Sequence, residues 1–141
     1  MDETHALLGG LLRIMQPAMY HAGINVMRTL RTLEDLRTPI DAWGSPFTSI
    51  SIISNRETPL HRDSKSRRAW MDMLVSLGDF VSTCMELRTV GVDVTLTPGT
   101  MVGMSSMLIR HGVSRCAWNR VCVAWYMRNS VHAYAQEEAP S

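Results

Sequence analysis

The sequence predicts an α+β protein in which a helical layer precedes a compact antiparallel β core. Up to residue 36, apolar residues recur at three- and four-residue spacing; from residue 47 onward, short β-branched runs alternate with Gly, Pro and Asp turn signals. The scale fits one folded domain. At 141 residues, with 45% hydrophobic and 19% charged side chains, the chain can bury a core and is not a disordered polymer.

Residues 5–36 read as two helices. Leu8, Leu11, Leu12, Met15 and Met19 form the stripe of the first, and Pro17 and Gly23 mark the break. Ile24, Met27, Leu30, Leu33 and Leu36 share a face of the second, over 24–36, which ends before Pro39. The helical layer is therefore assigned to 1–38. The stretch "FTSISIIS", 47–54, sets Phe47, Ser49 and Ser51 against Thr48, Ile50 and Ile52, the alternation of a half-buried strand. Further strands are expected over 69–77, 85–90, 92–97, 101–107 and 120–127, separated by "GDF", Gly91 and "TPGT". Strands this short and this close together predict an antiparallel sandwich or barrel. The tail, 135–141, is expected to fray. There is no internal repeat.

The formal net charge of +1 lacks the basic excess of most nucleic-acid binders. Locally, Arg62, Lys65, Arg67 and Arg68 cluster together, and Arg110, Arg115, Arg120 and Arg128 punctuate the last third, enough for a basic wall around one site. Cys84, Cys116 and Cys122 are odd in number and form no CxxC pair, which argues against a disulfide framework or a zinc knuckle and for a reducing compartment. No stretch approaches the roughly 18 apolar residues of a membrane span, and the start lacks the pattern of a signal peptide. A soluble intracellular protein is expected.

The chemistry concentrates in "PLHRDSK". In a strand, residues two apart point the same way, so His61 and Asp63 can offer an imidazole nitrogen and a carboxylate oxygen to one metal. Alone the pair is weak, since an aspartate capping a turn explains it equally well. His111, in "LIRHGVSR", supplies a second imidazole, which completes the 2-His-1-carboxylate face that holds Fe(II) and leaves positions open. His132 is the reserve, but it follows the arginine strand. Arg120 opens "RVCVAWYM", and its planar fork suits a dicarboxylate. Arg115 and Arg128 compete for that role. Arg120, Cys122 and Ala124 form a small-residue stripe that leaves an interior cavity, with Val121, Val123 and Trp125 turned toward the helices. Trp118 is a core residue or lines the pocket mouth.

The ordered set "NRETPLHRDSKS", "VSLGDF", "EL", "LTPGT", "RHGVSR" and "NRVCVAWYMRNS" resembles the core of 2-oxoglutarate/Fe(II) dioxygenases. More narrowly it is similar to the TET/JBP family of nucleic-acid-modifying enzymes, its fungal branch above all, over about residues 45–130. The resemblance implies a double-stranded β-helix, a jelly-roll of the cupin type, with Fe(II) and 2-oxoglutarate as cofactors. It implies His61, Asp63 and His111 as catalytic metal ligands, Arg120 as the 2-oxoglutarate anchor, and Asn55 and Cys122 as further cosubstrate-binding residues. It also implies O2 and DNA as partners, oxidation of 5-methylcytosine to 5-hydroxymethylcytosine, and a nuclear location. The chain departs from the family in reading "TCMEL" where a GGEL-type turn is common, though Glu86 and Leu87 are kept. Two other readings stand beside this one: an AlkB-like or prolyl-hydroxylase-like dioxygenase with another substrate, and a truncated non-catalytic binding domain.

Overall fold

A computed structural model describes residues 2–116 and 119–140. Its first boundary is set by Pro17. Helix α1 runs Asp2–Met15 and α2 Pro17–Arg31, because a proline fits the first turn of a helix but not its interior. The break therefore falls at Gln16 and not at Gly23, which lies inside α2. Gly23 is there for close packing: a Cβ at this position would sit 2.2 Å from the carbonyl oxygen of Pro46. The second helix also ends sooner than its apolar stripe suggests. A 3₁₀ turn, Glu34–Leu36, and a short helix α3, Arg37–Trp43, follow it, and Pro39 is accommodated in the first turn of α3.

Eight strands among the described residues follow: β1 Ser49–Ser54, β2 Thr58–His61, β3 Asp72–Gly78, β4 Thr83–Leu87, β5 Val92–Leu96, β6 Met101–Met104, β7 His111–Val113 and β8 Arg120–Tyr126. They form two antiparallel four-stranded sheets, ordered β1-β8-β3-β6 and β2-β7-β4-β5. The chain crosses repeatedly between the sheets, which is the wrap of a double-stranded β-helix. Strands β2 and β7 escape a sequence reading because they are four and three residues long and contain Pro59 and Gly112, too little for alternation to register. Strand β3 starts at Asp72 rather than 69, after a turn in which Trp70 N–H donates to Arg67 C=O at 3.0 Å. Strand β4 covers 83–87 rather than 85–90, because residues 88–91 turn into β5.

Two apolar layers result. Leu8, Leu12 and Met19 from α1 and α2 pack with Phe47, Trp70, Met73, Val75 and Trp125 on the outer face of the first sheet. Met85, Leu87, Leu96, Met104 and Val113 form a smaller cluster between the sheets. Each such side chain contributes roughly 1.5–3 kcal/mol by leaving water. Strand β8 serves both layers, with Val123 and Trp125 turned to the helices and Cys122 turned inward. A last helix, α4, runs Asn129–Tyr134. Beyond it the residues expected to fray instead pack back: Ala135 and Ala139 are buried, and Arg67 donates to the Ala139 carbonyl at 3.3 Å. Among the described residues no helix is long and apolar enough to cross a membrane.

The packing at Gly23 has a measurable counterpart in Gly10, an exposed helical glycine with open space around its Cβ position. Gly23→Ala is expected to lower stability by about 1–3 kcal/mol or more. Gly10→Ala should raise it by about 0.5–1 kcal/mol. Thermal or urea unfolding of the two variants beside the parent checks both signs.

Candidate functional site

His61 ends β2 and His111 opens β7, and the two are register partners across the second sheet. Between Thr58↔Val113 and His61↔His111 the β2 side carries one extra residue, a bulge next to Pro59, whose missing N–H suits an interrupted ladder. The bulge re-aims His61, and the two rings come to 4.4 Å between centroids. Asp63 follows in the turn after β2, its Oδ1 3.4 Å from His61 Nε2. One donor atom from each of His61, Asp63 and His111 lies within 4.8 Å of the others, the sole cluster of this kind among the described residues.

The donor chemistry fits a divalent metal. His61 Nδ1 lies 2.8 Å from Pro59 C=O, and His111 Nδ1 lies 2.9 Å from Ile109 C=O. A carbonyl can only accept, so each Nδ1 carries the proton and each Nε2 keeps its lone pair for coordination. Burial, the largest effect, pushes the His111 pKa down, which also favours the neutral ligating form. His132, the reserve ligand, is out of play: it is buried on α4 with its ring 5.5 Å from that of Trp70.

These ligands open onto a cavity of about 490 Å³ between the sheets. Arg120 lies in its wall, 3% exposed, with one guanidinium nitrogen 3.3 Å from Ser76 Oγ. Its Nε is buried without a hydrogen-bond partner, and no carboxylate among the described residues forms an ion pair with it. An arginine does not lose its charge, so a buried guanidinium of this kind calls for an anion. Gly78, the register partner of Arg120, permits the close backbone approach: its φ is +114° and a Cβ there would meet the Asn119 carbonyl at 1.9 Å. Cys122 and Ala124 line the cavity with Arg120, and burial pushes the Cys122 thiol up and keeps it protonated.

Asn55 does not line the cavity. It is exposed, in the left-handed region at φ 50°, and its Oδ1 accepts the Arg120 backbone N–H at 2.8 Å. It fastens the strand that carries the arginine instead of facing a cosubstrate. Trp118 lies outside the described residues. Of the basic cluster, Arg62 and Lys65 reach the cavity, whereas Arg67 is held by Asn129 and the Ala139 carbonyl.

Several lining residues carried no usable sequence signal: Arg56, Asp72, Ser106 and Tyr126; Arg128, a competitor for the anchor role in the sequence, also lines the cavity. Asp72 is 6% exposed and its carboxylate accepts the Ser106 hydroxyl. Its pKa is raised to about 6, first by burial and then by the nearby Asp63 charge, against the opposing effects of Ser106 and Arg128. Strand alternation places it on the inner face, yet a lone Asp before "MLVSL" reads as a strand start.

A family model described as the oxygenase domain of the 2OGFeDO superfamily (Tet_JBP) matches residues 1–129. No curated protein matches the sequence. Among solved structures, NgTET1 in complex with 5mC DNA aligns with a TM-score of 0.65 at 14% identity, covering 92% of this chain and 49% of that one. The chain thus spans about half the length of NgTET1. Two further structures align more loosely. An RmlC-like cupin from Desulfovibrio desulfuricans gives 0.41 at 16% identity, covering 55% of this chain and 71% of the other. The QdtA 3,4-ketoisomerase from Thermoanaerobacterium thermosaccharolyticum gives 0.45 at 11% identity, covering 61% and 62%.

The Asp72 carboxyl ties site to stability. Its folded pKa of about 6 lies above the ordinary 3.8, so the fold disfavours the ionised form; the penalty is present above pH 6 and fades as the pH falls toward 4. In chelator-treated protein, Asp72→Asn is therefore expected to gain up to about 3 kcal/mol at pH 7.5 and nothing at pH 4. Urea unfolding across that range checks it.

Proposed function

We propose that this chain, which belongs to the Tet_JBP family of oxygenase domains in the 2-oxoglutarate/Fe(II) dioxygenase superfamily, oxidises the methyl group of 5-methylcytosine in DNA to hydroxymethyl. The observation that carries the chemistry is the convergence of His61, Asp63 and His111 at a cavity that also holds a buried guanidinium, which no carboxylate among the described residues pairs with. His61 and His111 would hold Fe(II) through Nε2 and Asp63 through a carboxylate oxygen. Arg120 would pair with the distal carboxylate of 2-oxoglutarate, with the Ser76 hydroxyl beside it and Cys122 and Ala124 leaving room. When bound, the iron and 2-oxoglutarate supply the oxidising power, consuming O2 and releasing succinate and CO2.

The remaining residues orient and exclude. Backbone carbonyls at Pro59 and Ile109 hold both imidazoles in the ligating tautomer and fix their rotation. Apolar walls from Leu74, Met85 and Val113 keep bulk water from the reacting carbon. The methyl target in DNA is supported by NgTET1, solved with 5mC DNA. A C5 methyl inside a duplex must be swung out of the stack to reach such a cavity. Arg56, Arg62 and Lys65 at the lining supply positive charge for phosphates on that path. On this reading residues 1–141 form one dioxygenase domain, with 1–38 as its helical layer and 45–130 as its core, and its place of work is the nucleus.

His61→Ala and His111→Ala are each expected to abolish Fe(II) binding, read as iron content after anaerobic loading and desalting. Arg120→Lys should keep the iron but weaken 2-oxoglutarate roughly ten- to a hundredfold, because a point charge replaces a bidentate fork. Mass spectrometry of nucleosides from methylated duplex DNA, incubated with protein, Fe(II), ascorbate and 2-oxoglutarate, tests the substrate. Iron- and cosubstrate-bound protein that leaves 5-methylcytosine untouched but oxidises alkylated bases or peptides would reassign it.

A further inference from the structure

We propose that Asp72 selects the primary substrate by accepting a hydrogen bond from an N–H on the edge of the base that enters the cavity, so that an aminopyrimidine is preferred over one presenting a carbonyl oxygen there. The inference rests on the reading above and narrows it. It begins with the two polar ends of the cavity. Asp72, Leu74 and Ser76 alternate on the inner face of β3, and Asp72 and Ser76 stand roughly 13 Å apart at the usual strand rise. Ser76 meets the Arg120 guanidinium, so that end belongs to the cosubstrate. Asp72 stands at the other.

Ser106 fixes where that other end lies. Its hydroxyl donates to Asp72 Oδ2, and its carbonyl accepts the Asp63 N–H at 3.1 Å. Asp72 is thus anchored beside the metal-ligand turn, on the side away from Arg120. A cosubstrate stretched from Arg120 to the ligand set leaves this end open for a second reactant. Asp72 Oδ1 is buried and has no hydrogen-bond partner among the described residues, nor does Asp72 form an ion pair there. Arg128, the nearby cation, is instead spent on Tyr126: it donates to the phenol oxygen at 3.1 Å and lies 4.7 Å over the ring. Ser51 holds the same oxygen at 2.9 Å. The carboxylate therefore has one oxygen satisfied by the protein and one, buried in the cavity wall, left over.

A buried carboxylate oxygen without a donor is costly, and a ligand that brings an N–H removes the cost. A carbonyl oxygen in the same place sets lone pair against lone pair. 5-Methylcytosine and thymine present this choice at position 4, next to the C5 methyl that both carry: an amino donor stands there in one and a carbonyl acceptor in the other, and thymine's own donor, N3–H, lies one ring position further from the methyl. Sites built around a required hydrogen bond discriminate strongly against the partner that lacks it.

The test titrates Fe(II)- and 2-oxoglutarate-loaded protein, without oxygen, with oligonucleotides carrying a single 5-methylcytosine or a single thymine, reading the iron chromophore. The wild type should bind the first at least tenfold more tightly, and Asp72→Asn, whose amide offers a donor as well as an acceptor, should bring the two within about threefold with iron and 2-oxoglutarate affinities unchanged. Equal affinities in the wild type, no binding of either oligonucleotide, or an undiminished preference in the variant would overturn the assignment. If the preference holds and responds to Asp72 but no oxidised nucleoside forms on admitting air, the selector stands and the oxidation reading falls.

Discussion

Strand β8 is the member on which the architecture turns. Period-two alternation gives it two faces with opposite duties: Val123 and Trp125 carry the packing of the helices, while Arg120, Cys122 and Ala124 line a cavity. It lies between β1 and β3, so both neighbours are held in register by it. A slip of one residue would put a guanidinium against Leu8 and Met19 and a tryptophan into the cavity. The apolar contacts of one face therefore determine where the charge of the other is presented.

Much of this was legible in the chain. The helical stripe, most strand positions, the His61, Asp63 and His111 series and the two-faced pattern after Arg120 follow from periodicity and spacing. What was not legible shares a physical origin: it depends on contacts between distant segments. Strands β2 and β7 are too short to show alternation and exist because they pair with each other and with β4. Gly23 looks like a breaker until Pro46 is seen against it. Asn55 suggests a ligand contact by position, yet its amide is used locally, on the backbone of Arg120. Asp72 is an ordinary aspartate in sequence, and only its place in the cavity wall against the Ser106 hydroxyl makes it a buried carboxyl.

The ligand set also illustrates how little the local sequence has to specify. His61 and His111 come from segments fifty positions apart in the chain, by their numbers, yet each uses the carbonyl two residues before it to hold its Nδ1 proton. The same short device on both strands orients both rings. Site order then comes from backbone geometry rather than from a network of additional side chains, which suits a chain of this length.

The sharing of Leu8, Leu12 and Met19 with Met73, Val75 and Trp125 in one cluster has a further consequence. Although the strands alone complete the β-helix, the first forty residues are its roof rather than an appendage. Excising them would bare a tryptophan-bearing apolar surface directly behind the arginine strand, and the resulting fragment would be driven to self-associate before it could hold a ligand. Boundaries drawn by topology and boundaries drawn by cooperativity do not coincide in this protein.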